Sequence, residues 1–200
     1  MKRNLLIKLT LAGIGICLLI IVGSFFIDPP KMTEPDPAEL FNPSGNFTLT
    51  GTSGEPFQLQ DLRGKIVLLF FGYTSCPDAC PSTLAKLQRA FNLLRKEQIE
   101  QVRTVFISVD PARDNPRLLQ EYVEYFGVNA IGLTGTKADI DNVVKAYHAH
   151  YMIIPSQTST WYSINHTTTV FLHGKQGKVR YRFLYEETPE QLAEAIKKYL

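Results

Sequence analysis

Two cysteines, Cys76 and Cys80, stand four positions apart in Gly72-Tyr73-Thr74-Ser75-Cys76-Pro77-Asp78-Ala79-Cys80-Pro81. A continuous apolar run, Lys65 to Phe71 (KIVLLFF), precedes them, and an amphipathic segment follows. The pair therefore falls at a strand-to-helix turn. Unpaired backbone N–H groups and the positive end of the helix dipole there favour thiolate over thiol at both sulfurs. A four-residue step puts two side chains on one face of a helical turn, with Cα atoms about 6 Å apart, inside the disulfide range. The same spacing lets both thiolates grip one soft ion, and an added imidazole would select Cu(I) or zinc over hard cations. On these residues alone a structural bridge, a redox dithiol and a metal site all remain open.

A metal site needs a third ligand, and the chain offers His148, His150, His166 and His173. His148 and His150 follow a helix end and His173 lies at a hairpin turn, where solvated surface histidines are ordinary. His166 comes after a polar loop, residues 156–165, and immediately before an expected strand, Thr167 to Leu172. The loop entering that strand is expected to face the cysteine turn, which makes His166 the candidate ligand. Asp78 reads as a turn and helix N-terminal residue rather than a ligand. Asp110 and Asp114 flank Pro111 in a loop at the carboxyl end of a second core strand, the edge where α/β sheets place their sites. Support of the site by Asp110, and mere organisation of the loop around Pro111 and Pro116 by Asp110 and Asp114, are equally open.

The elements that position these residues alternate. Arg103 to Val109 (RTVFISV) is a second buried strand, and between the two runs Ser82 to Lys96 carries Leu84, Leu87, Phe91 and Leu94 at helical steps. Strand, helix, strand implies a right-handed parallel crossover. Helical spacing recurs over Asn115 to Phe126 and Ala138 to Tyr147, with the short segment Val128 to Leu133 between. Thr167 to Leu172 and Val179 to Leu184 form a hairpin around His173 to Lys178. Thr188 as N-cap, Pro189 at the first helical position and Gln191 at the third open the last helix. A crossover unit, a hairpin and a closing helix, with a cysteine pair after the first core strand, is the layout of an α/β thioredoxin-like domain: a mixed sheet flanked by helices.

Residues 1–27 are a separate object. Leu9 to Ile27 is 19 residues without a charge, close to the roughly 20 that a helix needs to cross a bilayer. Ser24 to Asp28 lacks a small-x-small cleavage pattern, so an uncleaved N-terminal transmembrane helix is expected rather than a signal peptide. Cys17 sits inside that span, without the small preceding residue a lipid anchor needs. Lys2, Arg3 and Lys8 before the span place the N-terminus in the cytoplasm and the rest outside. Residues 28–43, with five prolines, read as an extended tether, and residues 44–200 as the folded domain. The formal net charge is +2, and without the three leader cations the remainder has 18 basic and 19 acidic residues. That balance excludes a nucleic-acid footprint.

Three ordered blocks, the Gly72–Pro81 segment, Phe106-Ile107-Ser108-Val109-Asp110-Pro111-Ala112-Arg113-Asp114-Asn115-Pro116, and His166 before a strand, resemble the Sco/SenC family of copper-binding assembly factors. The likeness runs from about Phe47 to the end. It implies that Cys76, Cys80 and His166 bind copper, as Cu(I) and also as Cu(II). It implies a soluble domain facing the periplasm, or the mitochondrial intermembrane space, that helps build the dinuclear copper centre of cytochrome c oxidase. The short, Arg-poor leader favours a bacterial inner membrane. The expected partners are the copper-accepting oxidase subunit and an upstream copper donor or thiol reductant. The alternative is a thiol-disulfide oxidoreductase or redox sensor acting on the acceptor's cysteines through Cys76 and Cys80. A peroxidase would leave the second thiol superfluous, and a structural zinc module needs about four ligands where three candidates converge. In one position the chain departs from the family, whose histidine usually follows an aspartate: Asn165 stands here. An amide there predicts weaker copper retention or an altered preference between Cu(I) and Cu(II), because a carboxylate beside a ligating imidazole fixes the ring and raises its basicity.

Overall fold

Seven strands form one mixed sheet, in the spatial order Pro56–Gln58, Thr48–Gly51, Ala130–Thr134, Val102–Ser108, Ile66–Gly72, Val170–His173 and Val179–Phe183. The computed structural model describes residues 46–158 and 161–200. The expected membrane span and the tether lie outside the described residues, and among the described residues no helix is long and apolar enough to cross a membrane.

The centre of the sheet is β3 (Ile66–Gly72), whose seven residues are all buried. A strand covered on both faces needs apolar side chains at every position, which the run IVLLFF supplies. Strand β4 (Val102–Ser108) pairs with it in parallel, with Phe70 opposite Phe106 and Gly72 opposite Ser108. On its other edge β8 (Val170–His173) runs antiparallel and continues into β9 (Val179–Phe183). Strand β5 (Ala130–Thr134) extends the parallel side, and the short strands β1 (Thr48–Gly51) and β2 (Pro56–Gln58) close it antiparallel. The expected mixed sheet is therefore present. β1 and β2 are too short to announce themselves by alternation.

Alternation along β3 divides the core. Ile66, Leu68 and Phe70 pack with Leu84 and Leu87 of α1 (Ala79–Phe91), Leu119 and Val123 of α3 (Pro116–Phe126), and Leu192 and Ile196 of α5 (Pro189–Tyr199). Val67, Leu69 and Phe71 face the opposite layer, with Ile140, Val143 and Val144 of α4 (Lys137–Ala146). Helices thus flank both faces of the sheet, the thioredoxin-like arrangement expected. The caps follow the sequence: Thr188 accepts from the Gln191 N–H with Pro189 in the first turn, and Asn115 accepts from Leu118 N–H at 3.0 Å.

Three expectations need correction. The helix expected over Ser82 to Lys96 starts earlier and ends earlier, at Ala79 and Phe91, and a separate turn, α2 (Lys96–Ile99), follows. The break lets Leu94 turn into the core while Leu93 stays half exposed. The last four residues of the expected polar loop 156–165 are instead strand: β7 (Tyr162–His166) pairs with β6 (Tyr151–Pro155) in a hairpin that forms a sheet of its own, and the earlier part of the stretch connects the two. The signal of β7 is the period of two in Tyr162-Ser-Ile-Asn-His166, where Ile164 and His166 are buried and Ser163 and Asn165 exposed. His166 therefore ends a strand rather than a loop. His173, expected on a solvated turn, is 1% exposed: β8 runs one residue further than Leu172, and its side chain enters the core.

Candidate metal centre

The site is built where β3 ends and α1 begins, and β7 completes it. Gly72 closes β3, and Asp78, exposed, is the N-cap residue of α1. Cys76 precedes the helix and Cys80 lies in its first turn. The Cys80 N–H, one of the orphan donors of a helix start, points at Cys76 Sγ at 3.4 Å. Gly72 is required by space: a Cβ there would sit 2.5 Å from Phe106 Cε2 and 2.6 Å from Cys80 Sγ. Gly72→Ala is accordingly expected to displace Cys80 and to cost about 1–3 kcal/mol, the usual price of overpacking. Urea unfolding of the reduced protein checks this, and a wild-type midpoint would show that the cysteine turn yields freely.

β7 brings His166 over the pair. Its Nε2 lies 3.7 Å from Cys76 Sγ and 3.4 Å from Cys80 Sγ, and all three donor atoms fall within 4.8 Å of one another. Bonds of about 2.0–2.3 Å to nitrogen and sulfur, arranged trigonally or tetrahedrally, separate the two donors by about 3.6–3.8 Å. Little movement would be needed to close the three donors around one ion. Nδ1 of His166 lies 3.0 Å from the Thr167 carbonyl. A carbonyl only accepts, so Nδ1 carries the proton and Nε2 presents its lone pair to the sulfurs. The Tyr73 ring meets the imidazole edge-on at 5.8 Å and 87°.

Both cysteines are free thiols, and they are unequal. The Cys80 thiol, donating to its neighbour, holds the Cys76 thiol down at about 3, with help from the Cys80 and Asp78 backbone N–H groups against the effect of burial. The same neighbour and near-complete burial push the Cys80 thiol well up. The turn was expected to favour thiolate at both sulfurs; it does so at Cys76, while Cys80, 1% exposed, is held as the thiol until an ion or oxidation takes its proton. Cys76 is then a thiolate throughout the neutral range. Its alkylation by iodoacetamide is expected to stay level from about pH 5 to 8, where an ordinary thiol accelerates about tenfold per unit. A rate climbing with pH would contradict the asymmetric pair.

The remaining candidates divide. Among the described residues, Cys76, Cys80 and His166 are the one group of three or more His, Cys, Asp or Glu placed to hold a metal. His148 and His150 are exposed beyond α4, and His150 Nδ1 lies 3.1 Å from the Thr167 hydroxyl. Asn165 points outward, opposite Met152 in the hairpin, so its amide is not the imidazole's partner; the Thr167 carbonyl is. Asp114 is 1% exposed and accepts from Thr74 N–H at 2.9 Å, from the Thr74 hydroxyl at 2.6 Å and from Ser108 at 2.7 Å. Asp110 pairs with Arg113 and accepts from the Tyr162 hydroxyl at 2.7 Å. Organising the loop and supporting the site are thus the same task. Sequence reasoning missed Tyr73 and Tyr162, whose only signal is that they lie three residues before Cys76 and four before His166.

A family model for SCO1/SenC matches residues 35–200. The chain belongs to the SCO1/SenC family. It is similar to the SCO2-like protein of Rickettsia felis, 34% identical over 154 residues that cover 76% of this chain and 75% of the relative. Among solved structures it resembles Bradyrhizobium japonicum ScoI with copper bound, with a TM-score of 0.71 and 34% identity over 78% of this chain and 98% of that one. It also resembles BsSco, a member of the Sco family of cytochrome c oxidase assembly proteins in which a disulfide switch has been identified. That likeness has a TM-score of 0.60 and 26% identity, covering 77% of this chain and 91% of the other.

Proposed function

We propose that this SCO1/SenC protein is a membrane-tethered copper metallochaperone that carries one Cu(I) between Cys76 Sγ, Cys80 Sγ and His166 Nε2 and serves assembly of the dinuclear copper centre of cytochrome c oxidase. The convergence of two sulfurs and one imidazole nitrogen within 4.8 Å carries this reading, and soft donors of this kind select Cu(I). Copper is the cargo. A low-coordinate ion keeps vacant space, and Cys76, the most exposed of the three donors, is where an acceptor's ligand would enter and draw the ion away by exchange. In the loaded protein both sulfurs are thiolates, so oxidation of the pair to a disulfide, with its two electrons passing to a partner disulfide that leaves as its dithiolate, would remove both sulfur ligands and release the ion. Residues 1–27 would anchor the chain in a bacterial inner membrane and residues 28–43 would tether residues 44–200 in the periplasm. The tether would raise the domain's effective concentration at a membrane-bound client.

The unequal cysteines also support a second reading, a thiol-disulfide oxidoreductase. Cys76 thiolate would attack a client disulfide and Cys80 would resolve the mixed disulfide, leaving Cys76 and Cys80 oxidised and the client reduced. Anaerobic competition titration with Cu(I) separates the two. A chaperone binds one tight equivalent, lost in Cys76→Ala and in Cys80→Ala. A chain that binds none, while its dithiol still reduces a disulfide client, is the oxidoreductase.

A further inference from the structure

The two halves of the site come from parts of the chain about 90 residues apart, and one loop touches both. Among the described residues β6 and β7 pair only with each other, so no backbone ladder joins the strand that carries His166 to the main sheet. Along β7, Tyr162, Ile164 and His166 share the inner face. At its lower end the hairpin's own ladder closes with Thr167 N–H donating to the His150 carbonyl at 3.0 Å, where the two strands leave for α4 and β8. Midway, the Ile164 N–H donates to the Tyr73 hydroxyl at 3.1 Å. Its upper end rests on the loop after β4. There the Tyr162 hydroxyl donates to one oxygen of Asp110, Arg113 Nε to the other, and Arg113 Nη1 to the Tyr162 carbonyl at 3.0 Å. The guanidinium lies over the Tyr162 ring at 3.7 Å and reaches the Tyr73 ring at 5.5 Å. Four residues on, Asp114 fixes Thr74 of the cysteine turn through both of its oxygens.

We propose that the Asp110–Asp114 loop is the device that sets His166 against the cysteine pair, with Arg113 as the positioning residue for the histidine; this rests on the three-donor reading of the site. The chemistry of the clamp fits a positional role better than a stabilising one. A buried Arg–carboxylate pair gains little over apolar packing of equal volume, and here Arg113 Nη2 is buried without a hydrogen-bond partner. What such a pair supplies is geometry. The planar fork bonds a carboxylate and a carbonyl at once while its face stacks on a ring, which lysine cannot reproduce. With Arg113 removed, the upper end of the hairpin keeps only the Tyr162–Asp110 bond and tilts about the point where its strands leave for α4 and β8, and His166, the last residue of β7, turns with it. The cysteine turn, held separately by Asp114, stays in place.

The test has one arm without metal and one with it, both on the full chain. In the reduced, metal-free protein, amide hydrogen exchange at Ile164 is expected to be at least about tenfold faster in Arg113→Ala, the loss of a charge-assisted bond, while β3 and β4 amides keep wild-type rates. Cu(I) affinity is expected to fall about tenfold, as for loss of a group that orients a ligand, with Arg113→Lys recovering only part of it. In a His166→Ala background Arg113→Ala should then change nothing further. Tyr162→Phe, which keeps the ring under the guanidinium and drops one hydroxyl, should act in the same direction but less. Unchanged exchange at Ile164, or a copper loss that adds in full to that of His166→Ala, overturns the proposal. A wild-type chain that binds no Cu(I) overturns the three-donor reading instead, and the exchange arm still decides whether Arg113 holds the strand.

Discussion

Cu(I) binding by the His166→Ala variant is expected to be weaker by about a hundredfold or more, because removing a group that merely orients a ligand already costs about 10–100-fold. The variant should keep its dithiol. Cys76 and Cys80 belong to the β3–α1 turn, which Asp114 holds through Thr74 without help from β7. The first cause of the low Cys76 value is the Cys80 thiol, not His166. So the thiolate survives, and the pair should still close to a disulfide and reopen with a dithiol reductant. Competition titration with a Cu(I) chelator measures the first quantity and thiol counting across a redox series the second. Affinity within threefold of wild type would remove His166 from the ligand set. A pair that no longer cycles would show that the imidazole governs the sulfur chemistry as well.

The cysteine half of this site was legible in the sequence because everything that builds it is local. The apolar run before Gly72, the turn residues Pro77 and Asp78 and the helical steps of Leu84 and Leu87 occur in order, and each points to the same strand-turn-helix unit. His166 was legible as a candidate but not in its setting. The period of two in Tyr162 to His166 is weak because Ser163 and Asn165 look like loop residues, and the hairpin gains its inner face only by meeting Tyr73 and Asp110 across the fold. Those are contacts between residues 91 and 52 apart in sequence. For the same reason Asn165 adjoins His166 in sequence yet faces away from the imidazole, since alternation along a strand puts neighbours on opposite faces. Asp110 and Asp114 could not be assigned between loop and site from sequence, since each uses both of its oxygens across that boundary.

His173 shows how far a buried partner can overturn a reading from local composition, and it leads to an effect on stability. The glycines of His173-Gly-Lys-Gln-Gly-Lys178 mark a turn, yet the imidazole faces inward, where Nδ1 lies 3.1 Å from the Gly177 carbonyl and Nε2 lies 3.1 Å from the Tyr147 hydroxyl. The carbonyl fixes the proton on Nδ1, so Nε2 accepts from the Tyr147 hydroxyl. Desolvation by burial lowers the His173 value from 6.5 to about 4, against a smaller opposing effect of the Gly177 carbonyl. A proton added at Nε2 would reverse the bond to Tyr147, turning that hydroxyl from donor to acceptor. The unfolded chain, with an ordinary histidine, takes up its proton first as pH falls, so the folded state loses stability from about pH 6.5 down to about 4 and levels below that. A shift of this size is worth about 3 kcal/mol. Urea midpoints at pH 7, 6, 5 and 4 should therefore fall steeply for wild type. His173→Gln keeps an acceptor for Tyr147 but has nothing to titrate; it should start lower at pH 7 and decline less across the same window. Equal slopes in the two proteins would place the acid sensitivity of the fold in its carboxylates and show that His173 takes up its proton equally in the folded and unfolded chains.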